Sequence, residues 1–107
     1  MAKNVVNGEW VDSLTKEEYP VYNPANGAVV DTAPKGDARD VDRAVDAAER
    51  AFPKWWATPG GKRGELVGEC AKKIRENEQE LAKILTSEQG KPLLESVREI
   101  RRFAHTL

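Results

Sequence analysis

Cysteine and histidine each occur once in this sequence, and that scarcity closes off several chemistries. The single cysteine, Cys70, permits no internal disulfide framework, so the chain suits a reducing compartment. The single histidine, His105, leaves neither a histidine-based metal cluster nor a histidine pair. A Cys70–His105 nucleophile–base pair is formally available, but Cys70 falls on an apolar stripe, where cysteine acts as a small hydrophobe. No run approaches the roughly 18 apolar residues of a membrane span. Met1-Ala2-Lys3-Asn4 leads into no apolar segment of the secretory type, so the expected setting is cytoplasmic, away from membranes. Neither sign of charge dominates: 17 Lys and Arg face 18 Asp and Glu, for a net charge of −1, too little field to gather nucleic acid. Arg98, Arg101 and Arg102 cluster, yet Glu95 and Glu99 lie among them at helical spacing, the pattern of a solvated, salt-bridged face. Hydrophobic residues make up 39% and charged ones 33% of 107 residues, enough for one small domain with a thin core.

Two phosphate-binding patterns are missing as well. Gly60-Gly61-Lys62 is no P-loop, because Trp56 stands five places before Gly61 and Arg63 follows Lys62. No Gly-x-Gly-x-x-Gly run occurs.

What is present reads as an α+β segment, with an N-terminal β-hairpin and short strands over residues 1–36 and three to four helices over residues 37–107. Asn7-Gly8, flanked by Val5-Val6 and Trp10-Val11, is a two-residue hairpin signal. Tyr19, Val21 and Tyr22 form a second β-rich run, Asn23-Pro24-Ala25-Asn26-Gly27 a turn, and Val29-Val30 a third strand. A helix is expected from Asp37, its N-cap, with Asp40 adding negative charge to the first turn. Val41, Ala44, Val45, Ala48 and Phe52 make one buried stripe, Pro53 stops the helix, and Trp55-Trp56 fall in the linker beyond. Thr58 and Pro59 are read as N-cap and first residue of the next helix. Its stripe runs through Leu66, Val67, Cys70, Ala71 and Ile74 to Leu81, Ile84 and Leu85, and Asn77 with Glu80 resembles a capping pair that splits it. Gly90 then closes a helix, Pro92 opens another, and Lys91 offsets the carbonyl end of the first. The last helix ends at Phe103-Ala104-His105-Thr106-Leu107 without a glycine or proline stop, as though cut within a helix.

These segments, in their order and spacing, resemble the N-terminal region of the NAD(P)-dependent aldehyde dehydrogenase family. The resemblance rests on Asn7-Gly8-Glu9-Trp10-Val11, on Val21 to Gly27 with its Asn-Pro-x-x-Gly turn, and on Asp40 to Val45 with Ala47-Ala48, Ala51-Phe52 and Trp55. Thr58-Pro59 with Arg63, and Glu88-Gln89-Gly90-Lys91-Pro92-Leu93 with Glu95, complete it. It implies a Rossmann-like cofactor domain, NAD or NADP as cofactor for the whole enzyme, a homo-oligomer, and oxidation of an aldehyde to a carboxylic acid through a cysteine thioester. It carries no catalytic and no cofactor-binding residue onto this chain, and Cys70 does not match the nucleophile's position. The partner it implies is the remainder of the enzyme. It also implies a monovalent-cation site at Val21, Tyr22 and Glu88. Many members with that site carry Asp where this chain has Glu88, and a solvated late-helix carboxylate is the competing reading. A stand-alone helical interaction module without enzymatic activity is the alternative for the chain as a whole. As a segment that rests on a larger sheet, it is expected to be marginal in isolation.

Overall fold

A computed structural model describes residues 2–107. Strand β1 (Asn4–Val6) pairs antiparallel with β2 (Glu9–Val11), with Asn4 opposite Val11, Val5 opposite Trp10 and Val6 opposite Glu9. Asn7 and Gly8 join them with φ of 54° and 79°, the two positive values that match a tight turn to the strands' twist. Strand β3 (Glu18–Tyr22) pairs with β4 (Val29–Pro34) in a second two-stranded sheet. Helices α1 (Ala38–Ala57), α2 (Gly60–Glu76), α3 (Glu78–Gln89) and α4 (Leu93–Thr106) follow. The chain divides into two compact units: the described residues up to Val21 with Val29–Ala57, and Tyr22–Ala28 with Thr58–Leu107.

In the first unit, α1 is anchored by a reciprocal cap. The Asp37 carboxylate accepts the Arg39 N–H at 2.9 Å, and the Asp40 carboxylate accepts the Asp37 N–H at 3.1 Å. Asp40 also takes the Leu14 N–H at 3.0 Å, tying the loop after β2 to the helix start. It is thus an acceptor for two backbone donors as well as a first-turn charge. In that loop Ser13 is only 3% exposed, and its hydroxyl donates to the Glu17 carbonyl at 3.1 Å.

Two expectations for α1 are corrected. Pro53 does not end the helix, which runs four residues further, to Ala57, and takes Trp55 and Trp56 with it. Proline removes one helical hydrogen bond, to the carbonyl of Glu49, a residue open to water. Phe52 and Trp56, one helical turn apart, stack across that break with centroids 5.9 Å apart. The expected stripe is also not buried: Val41, Val45 and Phe52 are 57–61% exposed, and Ala47 is the helix's one buried residue. The 3.6-residue period formed the apolar face, but its large side chains stay exposed.

The second unit is a three-helix assembly in which α4 packs on both α2 and α3. Its core is small: Ala71 of α2, Ala82 of α3, and Ser96, Val97 and Ala104 of α4. Ser96 is fully buried and shares a 2.8 Å hydrogen bond with the Thr86 hydroxyl. Arg101 grips Glu78 with two hydrogen bonds of 2.7 and 3.0 Å, and holds its carboxyl below the usual range. Arg75 reaches the Ala104 carbonyl at 3.3 Å.

Helix boundaries here also differ from expectation. Pro59 and Pro92 each precede their helices with extended ψ near 140°, so α2 opens at Gly60 and α4 at Leu93. The α2–α3 break at Asn77 is where it was expected, but its cause differs. The Asn77 amide donates back to the Lys73 carbonyl at 2.8 Å, and no side chain caps α3. Cys70, expected on the buried stripe, is exposed; the small core of the unit is reached by Ala71 instead.

Candidate functional site

Two turn motifs that are far apart in the sequence meet in the second unit. Asn23 organises its own turn: its side-chain oxygen accepts the Ala25 N–H at 2.9 Å, and its carbonyl accepts the Gly27 N–H at 2.7 Å. Asn26 repeats the device on the Ala28 N–H at 2.9 Å, and Gly27 takes φ 71°. At the other motif, Gly90 closes α3 with φ 82°, and its N–H donates to the Thr86 carbonyl at 2.9 Å. A Cβ on Gly90 would lie 2.5 Å from Cγ of Pro24. Glycine is therefore required there twice, once for the left-handed backbone and once for contact with the Asn-Pro turn. No spacing in the sequence announces that contact. Lys91, directly after the C-cap of α3, forms an ion pair through its ammonium with Glu99 on α4.

A cleft of about 500 Å³ opens along α3 and α4 of the same unit. Leu81, Ile84, Leu85, Ile100 and Phe103 supply its apolar lining. It is a second face of the helices that build the core, since α4 turns Val97 and Ala104 inward and leaves Phe103 54% exposed. In the first unit a smaller hollow of about 320 Å³ lies at the start of α1, lined by Val5, Val6, Val11 and Val41 beside Asp37 and Asp40. The Asp37 carboxyl is held below its usual range by its hydrogen bonds to the Arg39 side chain, at 2.6 and 3.0 Å.

The positions matched to a cation site fall in different units: Val21 in the first, Tyr22 and Glu88 in the second. Val21 is half-buried near the end of β3, Tyr22 is exposed, and Glu88 is an exposed carboxylate in the last turn of α3, at the rim of the cleft. Among the described residues, no three His, Cys, Asp or Glu side chains come together in a group able to hold a metal. No helix among them is long and apolar enough to cross a membrane.

Comparison with known proteins gives this arrangement its context. The chain is 41% identical over 99 residues to malonate-semialdehyde dehydrogenase 1 of Bacillus licheniformis, a match that covers 92% of this chain and 20% of that protein. An NADP-dependent enzyme of E. coli superposes with a TM-score of 0.93 at 38% identity, over 95% of this chain and 21% of its own. A double mutant of betaine aldehyde dehydrogenase from Staphylococcus aureus, in complex with NAD+, does so with a TM-score of 0.87 at 34% identity, over 97% and 23%. The chain therefore spans about a fifth of the length of the relatives it matches. Residues 10–107 match the sequence profile of the aldehyde dehydrogenase family, and the chain belongs to that family.

Proposed function

We propose that this chain is the N-terminal portion of the cofactor-binding domain of an NAD(P)+-dependent aldehyde dehydrogenase, and that it serves that enzyme as a supporting layer. The observation that carries the reading is the family match along residues 10–107, over a length that is about a fifth of each relative. In such an enzyme a cysteine thiolate adds to the aldehyde carbon, and hydride leaves that carbon to give a thioester. Water then hydrolyses the thioester to the carboxylic acid and frees the thiol. NAD(P)+, when bound, accepts the hydride. Neither the nucleophile nor a cofactor contact is assigned to a residue of this chain; Cys70 is an exposed thiol on α2 outside both roles. The chain's contribution is shape: the Asn23–Gly27 turn against Gly90, and helices that offer apolar faces.

The same reading places a monovalent cation with Val21, Tyr22 and Glu88. Glu88 supports it as an exposed oxygen donor of the kind hard cations take. In the full-length enzyme, exchange of potassium for a choline salt should lower the melting temperature, and Glu88→Gln should abolish that difference. A melt that ignores the exchange sinks the assignment.

The exposed faces also suit a stand-alone interaction module, so the decisive experiment compares two proteins. The full-length protein, given NAD+ or NADP+ and a panel of aldehydes headed by malonate semialdehyde, should produce reduced cofactor, and the 107-residue chain should produce none. If the full-length protein is folded yet turns over no aldehyde with either cofactor, the enzymatic reading fails.

A further inference from the structure

The chain has five asparagines, and their neighbours sort them for a reaction that asparagine undergoes without a catalyst. In it, the main-chain nitrogen of the following residue attacks the side-chain amide carbon and expels ammonia. Asn23 precedes Pro24, whose nitrogen has no proton to lose. Asn4 precedes Val5, whose branched Cβ crowds the nitrogen. Asn77 precedes Glu78, the first residue of α3, and its side-chain amide is tied to the Lys73 carbonyl at 2.8 Å. Asn7 and Asn26 precede glycines, which have no Cβ to shield the nitrogen or stiffen the chain. These two exposed Asn-Gly pairs sit in different settings. The Asn26 side-chain oxygen accepts the Ala28 N–H at 2.9 Å, and the Gly27 N–H, which would have to give up its proton, donates to the Asn23 carbonyl at 2.7 Å. At the other pair, neither the Asn7 side chain nor the Gly8 N–H makes a hydrogen bond to any described residue. A Cβ on Gly8 would meet nothing within 4 Å, so the turn is open. Its strands are three residues each in a sheet with no third strand, so the hairpin opens locally at little cost and frees the backbone for attack.

We infer that Asn7 is a modification site, where the chain deamidates spontaneously through a cyclic imide with water as co-reactant. The Gly8 nitrogen gives up its proton and bonds to Cγ of Asn7, the Cγ–Nδ2 bond breaks, and Nδ2 leaves as ammonia, the proton count restored from solvent. Water then opens the imide. Opening at Cγ gives aspartate, and opening at the main-chain carbonyl gives isoaspartate, whose main chain runs through Cβ and Cγ. Nothing is oxidised or reduced, and each product carries one new negative charge. The two products differ in what they do to the hairpin. Aspartate tolerates the left-handed φ of 54° at position 7 and keeps the turn. Isoaspartate adds one main-chain atom to a turn of only two residues, so Val6 and Glu9 no longer meet in register.

The test uses the full-length protein, incubated in mildly alkaline buffer with and without urea. Peptide mapping with electron-transfer fragmentation then quantifies aspartate and isoaspartate at each asparagine over time. In the folded protein, conversion at Asn7 should run several-fold ahead of Asn26, with isoaspartate among its products, and should slow in mildly acidic buffer, where the attacking nitrogen keeps its proton. In urea the two Asn-Gly pairs lose their settings, and Asn26 should catch up with Asn7. Conversion of Asn26 as fast as Asn7 in the folded protein overturns the inference. So does an Asn7 that stays intact over an interval in which urea converts both. A lead of Asn7 that is the same size in urea removes the turn geometry from the account and overturns it as well. Hydrogen exchange checks the structural consequence: Asn7→Asp should keep the amide protection of β1 and β2, and the isoaspartyl form should lose it. Equal protection in the two forms contradicts the claimed break in register. Every readout is independent of aldehyde turnover, so the inference stands or falls apart from the enzymatic reading.

Discussion

The long helix α1 of the first unit buries one residue, Ala47, whereas α4 of the second unit, six residues shorter, buries Ser96, Val97 and Ala104. Both helices have strongly one-sided apolar patterns. The difference lies in their neighbours, because α4 has two helices to pack against and α1 has only a few contacts with a three-residue strand. The first unit is held instead by directional polar contacts around Asp37, Asp40 and Ser13. Amphipathicity creates a face but not its partner, and small units leave most such faces open. The two units should therefore respond to different perturbations: the first to lost hydrogen bonds, the second to changes of volume and backbone at the Gly90 corner.

The largest effect is expected at that corner. Gly90→Ala places a side chain at φ 82° and a Cβ against Pro24. We expect a loss of about 1–2 kcal/mol for the left-handed backbone and a further loss of about 1–3 kcal/mol for the overpacked contact. Gly27→Ala has a similar φ of 71° but open space around it, so it should cost only the first amount. Denaturant melts of both variants separate the contact from the backbone, and Pro24→Ala should recover part of the Gly90→Ala loss but none of the Gly27→Ala loss. Equal costs for the two glycines would remove Pro24 from the account.

The next effect belongs to the first unit. Asp40→Ala strips the acceptor from the N–H groups of Asp37 and Leu14, and should destabilise by about 1–2 kcal/mol. Hydrogen exchange should show the loss as faster exchange at Leu14 and in the first turn of α1, with α3 and α4 unchanged. Ser96→Ala, in the second unit, should cost about 1 kcal/mol by leaving the Thr86 hydroxyl without its partner. Ser96→Cys, close in volume, would show whether packing or the hydrogen bond dominates.

The smallest effect is the Glu78–Arg101 clasp. The hydrogen bonds from Arg101 lower the folded carboxyl pKa, so its stabilisation is fully present above the ordinary glutamate value of about 4.5. It fades as pH falls through the lowered folded value. Arg101 is largely exposed, and salt should weaken the pair. An acid titration of stability should lose this portion in Glu78→Gln, and an unchanged titration would assign the clasp no role.

Where local chemistry decides the backbone, the sequence was legible. Asn7-Gly8, Asp37, Asn77 and Gly90 mark the hairpin, a helix start, a helix break and a helix end, each through a conformation or a donor its residue type favours. Pro53 was misread because the cost of one missing N–H is a local quantity, and the Phe52–Trp56 stack and the rest of the helix outweigh it. Burial was misread at Val41, Val45 and Cys70 for a different reason. Periodicity reports which residues share a face, while exposure depends on whether another element reaches it. At the candidate site, the two motifs were legible as turns, but the contact of Gly90 with Pro24 joins distant segments, and the cleft along α3 and α4 depends on how two successive helices pack.

The central claim is that this segment supports an aldehyde dehydrogenase and performs none of its chemistry. Absorbance at 340 nm tests it most directly, with the purified 107-residue chain incubated with NAD+ or NADP+ and assorted aldehydes beside the full-length enzyme. The account expects a flat trace from the chain and a rising one from the enzyme. Reduced cofactor formed by the purified chain itself, at a rate proportional to its concentration, would contradict it.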